Sequence, residues 1–184
     1  MAPVHLFPTI RPARHGDLPA VARITHERSG GDLEAHRKSL ERFLQRAAAT
    51  GRSLLLIAEM GSEVVGFGKC HYLPASRRDP ADPAPEGWYL AGLIVDSRFR
   101  RRGIGRALTK ARLRWVAERA MHVYYVSNAR NVASVALHAA FGFTEVARGP
   151  SFVGITFEGG VGLLCRAALG RPGGEGGPPP QDGA

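Results

Sequence analysis

Between Leu93 and Leu108 the chain joins an apolar run, Leu93-Ile94-Val95, to a basic glycine turn, Arg100-Arg101-Arg102-Gly103-Ile104-Gly105-Arg106, and a helical pattern starts at once. That is the arrangement of an anion site. The first turn of a helix leaves backbone N–H groups without intrahelical partners, and the aligned peptide dipoles make that end partly positive. Gly103 and Gly105 lack Cβ, so a phosphate could approach the amides closely, while the arginines add charge and bidentate donors. A pyrophosphate is the natural guest. A Walker A loop would need a Lys-Ser/Thr pair where Arg106-Ala107 stand, and a dinucleotide fingerprint would need a third glycine at Leu108. Neither fits.

A second segment, Asn131-Val132-Ala133-Ser134-Val135-Ala136-Leu137-His138-Ala139-Ala140-Phe141-Gly142-Phe143, reads as a short helix. Asn131 can cap it through its side-chain oxygen, Val135 and Leu137 can pack, and Gly142 can take the left-handed conformation that ends it. Near the N-terminus, Ile10 to Val21 reads as a strand followed by a helix capped by Asp17, with Pro19 just inside.

These residues need a frame, and periodicity supplies one. His5 to Arg11 is expected as a strand, Asp17 to about Arg28 and Asp32 to Ala49 as consecutive helices, and Ser53 to Met60 with Glu63 to Tyr72 as a hairpin turning at Gly61-Ser62. Pro74 to Gly87 is a proline-rich loop, and loops of this length are often functional or mobile, so it is expected either to border the acceptor pocket or to be a disordered surface excursion. Trp88 to Val95, the helix from Gly103 to Arg119 and His122 to Ser127 alternate in the βαβ manner. Phe143 to Arg148 and Val161 to Arg166 would close the sheet. Residues 1–169 are expected to form one domain, and the Gly/Pro-rich stretch 170–184 a disordered tail.

Composition is consistent with this frame. A chain of 184 residues with 44% hydrophobic content can build one sizeable core. Its two cysteines, Cys70 and Cys165, lie far apart in apolar runs, so they read as packing residues rather than a disulfide or a metal site. No long apolar stretch suggests a leader or a membrane span, which points to a cytoplasmic protein with no membrane partner. The net charge is +9, carried almost wholly by arginine, with Lys38, Lys69 and Lys110 the only lysines. Such a surplus suits polyanions, although only Arg98 to Arg106 forms a true cluster.

The Arg-x-x-Gly-x-Gly turn, with Arg100, Gly103 and Gly105 on its signature positions, and the later Asn131 to Phe143 segment together resemble the GNAT superfamily of acyl-CoA-dependent N-acyltransferases. The resemblance implies an α/β (α+β) fold: a mixed, mostly antiparallel sheet of six to seven strands, about four flanking helices, and parallel fourth and fifth strands that splay apart. It implies acetyl-CoA as cosubstrate, with the pyrophosphate on Arg100 to Arg106, the pantetheine along the backbone of Leu93, Ile94 and Val95, and Asn131 and Ser134 helping to hold the cofactor. It also implies an amine acceptor, with no metal and no nucleic acid as partner; homodimers are common among relatives. The reaction implied is direct attack of a primary amine, of a small molecule or a protein, on the thioester.

Three tasks follow from that reaction. An amide near Val95 is the expected oxyanion donor. The thiolate's acid is usually a Tyr directly after the Leu of the later motif; here His138 takes that position, with an ordinary pKa of about 6.5. Eleven residues before Arg100, where histone-acetylating relatives carry Glu, this chain has Tyr89. Tyr89 is a poor base, with Glu59, His71 and Glu86 as alternatives and water as another. Tyr124 and Tyr125 point to opposite faces of their strand, and either could serve as a second acid. Two other functions compete: a non-catalytic acyl-CoA-binding domain, motivated by the missing consensus base, and an arginine-rich nucleic-acid binder, disfavoured because aromatics do not interleave with the arginines.

Overall fold

The computed structural model describes residues 7–75, 82 and 84–170. In chain order the elements are β1 (Thr9–Pro12), α1 (Leu18–Ser29), α2 (Leu33–Thr50), β2 (Ser53–Met60), β3 (Glu63–Leu73), β4 (Gly87–Val95), α3 (Ile104–Ala117), β5 (His122–Asn128), α4 (Val132–Ala139), β6 (Thr144–Gly149), β7 (Ser151–Phe152), β8 (Ile155–Thr156) and β9 (Gly162–Ala168). Seven strands form one sheet in the order β1-β2-β3-β4-β5-β9-β6, antiparallel everywhere except β4 against β5. The expected fold class is therefore correct. The expected tail lies, from residue 171 onward, outside the described residues, as do residues 76–81 and 83 of the proline-rich loop.

The alternation of apolar residues assigns each face of the sheet a cover. Leu55, Ile57 and Phe67 meet Val21, Ile24 and Leu40 of α1 and α2 on one face. Leu56, Ala58 and Val65 meet Ile104 and Leu108 of α3 on the other. Full burial of each such side chain stabilises by roughly 1.5–3 kcal/mol. Beyond β4, the α3 and α4 face continues through Val123, Tyr125, Leu163 and Phe143. Cys70 and Cys165 are both free and buried in that cluster, as packing residues should be.

Three local expectations differ from the structure. Asp17 does not cap α1: its carboxylate instead takes two bonds from Arg11, at 2.8 and 2.9 Å, and one from the Arg14 N–H. The arginine is the stronger partner, because both groups are charged and the geometry is bidentate. The closing strands are also not in chain order in space, since β9 inserts between β5 and β6. Between them a small β7-β8 ribbon, centred on Val153 at φ 50° and Gly154 at φ 72°, was not anticipated.

Two irregularities open the sheet at its centre. The parallel pairing of β4 and β5 covers only Tyr89 with Tyr124 and Leu90 with Tyr125. From Ala91 onward, β4 follows β3 alone. There the register runs Phe67 to Ile94 and then Lys69 to Ala91, so three steps on β4 face two on β3. That β-bulge bends the strand, and Gly92, at φ 52°, supplies the left-handed conformation it requires.

Candidate active site

α3 begins at Gly103, whose φ of 76° is comfortable only for glycine, and no side chain caps the helix. The first intrahelical bond is from the Ala107 N–H to Gly103 O at 2.9 Å, so the N–H groups of Ile104, Gly105 and Arg106 lack intrahelical acceptors. Arg101 shares the left-handed conformation at φ 63°, which turns the loop tightly. Around this end Arg100, Arg101, Arg102 and Arg106 are exposed and make no ion pair among the described residues. By contrast, Arg98 is held by Asp96 at 2.8 Å and Glu63 at 2.5 Å, which removes it from the set.

The motifs that lie apart in sequence meet here. Asn131 caps α4 as expected, accepting from the Ser134 N–H at 3.3 Å, and Gly142 is left-handed at φ 80°. A Cβ at Gly105 would sit 3.6 Å from Leu137 of α4 and 3.9 Å from Leu93 of β4. The Arg106 guanidinium lies 5.1 Å above the Phe141 ring. The helix start, the second motif and the splayed strand thus line one crevice.

On β4, the Asp96 N–H donates to Val65 O at 2.9 Å, which makes that pair hydrogen-bonded. Pairs alternate along an antiparallel ladder, so the next one, Gly66 with Val95, is not bonded. The N–H and C=O of Val95 consequently point away from β3 into the splay. The carbonyl accepts from Arg100 Nε at 3.3 Å, and the N–H faces the opening.

Below the bulge sits a residue that sequence reasoning missed. Arg112 is fully buried, with Nη1 donating to Lys69 O at 3.2 Å and Ala91 O at 3.3 Å, and Nη2 to Thr109 at 3.0 Å. Burial pushes its pKa down to about 10. Gly68 makes room for it, since a Cβ there would lie 3.0 Å from Arg112 Nε. The signal was present: Leu108, Arg112 and Val116 recur at every fourth position on the buried side of α3.

Across the sheet, α1 and α2 leave a cavity of about 610 Å³ against β2, β3 and the bulge. Phe43 and Arg46 of α2, Lys69 and His71 of β3, and Gly92 are among its walls. Burial lowers the pKa of Lys69, and burial together with the charges of Lys69 and Arg46 lowers that of His71.

Two expected catalytic side chains are buried and hydrogen-bonded to backbone carbonyls. His138 is buried, stacked on Tyr125 at 4.0 Å between ring centroids, with Nδ1 2.9 Å from Ser134 O. A carbonyl only accepts, so Nδ1 carries the proton and Nε2 the lone pair. Burial pushes the ring's pKa down to about 4. A neutral ring whose proton is held by a carbonyl suits packing better than the acid role expected from the motif position. Tyr89 is buried against Tyr124 and donates its hydroxyl proton to Pro85 O at 2.7 Å. Tyr124 and Tyr125 do lie on opposite faces. Of the alternative bases, Glu59 is held by Arg11 at 2.9 Å and Glu86 accepts from the Ala75 N–H at 3.2 Å. Only His71 lines the cavity.

The sequence pattern of the Acetyltransferase (GNAT) family matches residues 20–143. The chain belongs to that family. Aminoglycoside N(6')-acetyltransferase type 1 of Klebsiella aerogenes is 31% identical over 122 residues, which are 64% of this chain and 76% of the relative. Ribosomal-protein-alanine N-acetyltransferase from Brucella melitensis superposes with a TM-score of 0.67 at 27% identity, over 88% of this chain and 99% of its own. A ribosomal L7/L12 alpha-N-protein acetyltransferase, solved in complex with coenzyme A, gives a TM-score of 0.69 at 16% identity, over 91% and 97%, and so shares the fold. As a GNAT protein the chain is an acetyl-CoA-dependent N-acyltransferase, with acetyl-CoA as cosubstrate. No helix among the described residues is long and apolar enough to cross a membrane.

Proposed function

We propose that this GNAT enzyme acetylates a primary amine of a small molecule or protein by direct attack across the β4 bulge. One observation carries the proposal: an anion-seeking helix end and an outward-facing strand amide open on one side of the splayed strands, and an empty-walled cavity reaches the same bulge from the other. When bound, acetyl-CoA supplies the activated acyl group. Arg100, Arg101, Arg102 and Arg106, with the N–H groups of Gly103 to Arg106, hold its diphosphate. Val95 and Leu93, on either side of Ile94, offer backbone groups to its pantetheine, and Asn131 and Ser134 border it from α4. The Val95 N–H donates to the carbonyl oxygen, on which charge grows during attack. A thiol has an ordinary pKa of about 8.5, so water can protonate the departing sulfur without a dedicated acid.

Calorimetric titration with acetyl-CoA, with desulfo-CoA and ATP as controls at physiological salt, tests the cofactor half. Saturable binding with clear preference over ATP is expected. The neutral, buried His138 also suits a non-catalytic acyl-CoA-binding domain, and turnover of any amine in an acceptor screen removes that second reading.

A further inference from the structure

Around the cavity between α1, α2 and the bulge, every charged side chain among the described residues is basic. Lys69, Arg46 and Arg52 carry that charge beside the rings of His36 and His71, and no Asp or Glu lines the cavity. Lys69 is the innermost. Its side chain crosses directly over the bulge, since a Cβ at Gly92 would lie 2.5 Å from Lys69 Cε. Its ammonium stands 5.5 Å from the Phe43 ring centroid and has no carboxylate within ion-pair distance among the described residues. A partly buried ammonium with a ring but no carboxylate beside it remains under-solvated, and an incoming anion relieves that cost. Burial, and then the charges of Lys69 and Arg46, disfavour protonation of His71. A polycationic amine meets repulsion from Lys69, Arg46 and Arg52.

Resting on the acetyltransferase reading above, we propose that the acceptor is a small primary amine that also carries an anionic group, a carboxylate or a phosphate, which binds between Lys69 and Arg46 while its amine meets the bulge. The volume suits a small molecule rather than a folded surface. The positive field helps the chemistry too. It favours the neutral form of an arriving amine, which is the nucleophilic one, and this lessens the need for a dedicated base. In the step, the amine nitrogen forms the bond to the acyl carbon, the carbon–sulfur bond breaks toward sulfur, and the nitrogen's extra proton leaves to solvent. The same charges disfavour a polycationic aminoglycoside as acceptor.

The test is thiol release from acetyl-CoA with matched amines: α-amino acids against their amides, O-phosphoethanolamine against ethanolamine, an acidic N-terminal peptide, and kanamycin. Each is also titrated calorimetrically into protein saturated with desulfo-CoA. At least one anionic amine is expected to exceed its uncharged match by about tenfold or more in kcat/KM and in affinity. Lys69→Met should erase most of that preference, lowering use and affinity of the anionic amine at least about fivefold more than those of its uncharged match. Arg46→Gln, on the exposed rim, should erase part of it and serves if Lys69→Met does not fold. The two arms of the panel distinguish carboxylate from phosphate. Equal or better use of the uncharged amines or kanamycin, preference for the peptide over every small anion, or no turnover of any anionic amine overturns the proposal. Failure to bind acetyl-CoA at all would instead sink the acetyltransferase reading beneath it.

Discussion

On the α3 side of the β4 bulge a buried guanidinium is surrounded by acceptors, whereas on the α1 and α2 side a partly buried ammonium meets a ring and no carboxylate. Arg112 gives its protons to Lys69 O, Ala91 O and Thr109, and only its Nε is left unpartnered. Lys69, whose carbonyl Arg112 holds, turns its own side chain through the sheet into the cavity. The first cation is consumed by the fold, because carbonyl dipoles satisfy it in place. The second is left for a ligand. Burial of a charge therefore does not by itself mark a function; what remains unsatisfied around it does.

The largest expected effect lies on the line where the two sides meet. Val95→Pro removes the N–H that faces the splay, and since that N–H does not belong to the β3-β4 ladder, the sheet should tolerate the change. Loss of a single oxyanion donor lowers kcat by about 10²–10³, or roughly 3–4 kcal/mol. Steady-state kinetics together with a thermal melt check it. A folded variant with wild-type kcat would mean that acyl transfer does not occur at this amide.

His138 belongs to the satisfied side, and its protonation should be visible in stability rather than in rate. The unfolded ring takes a proton near its ordinary 6.5, the folded ring only near 4. Between those values the unfolded chain binds more protons, so the contribution is complete above pH 6.5 and is lost as pH falls toward 4. The loss is about 3 kcal/mol, readable from urea midpoints across that window. His138→Phe preserves a ring against Tyr125, should flatten the slope, and should leave kcat within about threefold. A drop of about a hundredfold or more would restore the acid role that the ring's buried state argues against.

The same division decided what could be read from the sequence. The helix start at Gly103 and the capped segment at Asn131 depend on local backbone needs, a left-handed glycine and a short polar cap, and such needs are written in adjacent residues. The strands of the central sheet were legible for a like reason, through their apolar alternation. The cavity was not, because Arg46, Lys69 and Gly92 come from three elements and acquire meaning only when the sheet brings them together. Gly92 within an otherwise apolar strand did signal a bulge, and Arg112 on an apolar helix stripe signalled a buried cation. The exchange of β9 and β6 left no such local mark, since both strands have similar patterns and their order is a matter of long-range pairing.

Gly103→Asp should separate the two sides. The left-handed backbone costs a β-carbon residue roughly 1 kcal/mol, and the new carboxylate would compete for the N–H groups at the start of α3. The backbone cost falls on stability, whereas the competition and the repulsion between carboxylate and diphosphate should weaken acetyl-CoA binding roughly 50-fold, about 2–2.5 kcal/mol, by calorimetry. The acceptor's preference for an anionic group should survive, because the cavity is untouched. Unchanged acetyl-CoA affinity would remove the diphosphate from this turn.

Arg112→Met gives the smallest effect and the sharpest contrast between the two cations. It leaves two bulge carbonyls without a donor, at roughly 1–3 kcal/mol each, yet it also removes a desolvated charge with an unpartnered Nε. These terms oppose one another, so the net loss of stability should be only about 1–2 kcal/mol by urea unfolding. Because Ala91 then loses its anchor, the bulge should loosen, and kcat should fall about tenfold while acetyl-CoA affinity stays within about twofold. Lys69→Met, in contrast, should alter acceptor choice without changing stability in the same direction, since nothing in the fold depends on its ammonium. If the Arg112 variant kept full activity, the strand would hold its own shape through Gly92, and the guanidinium would be only a filler that the core happens to satisfy.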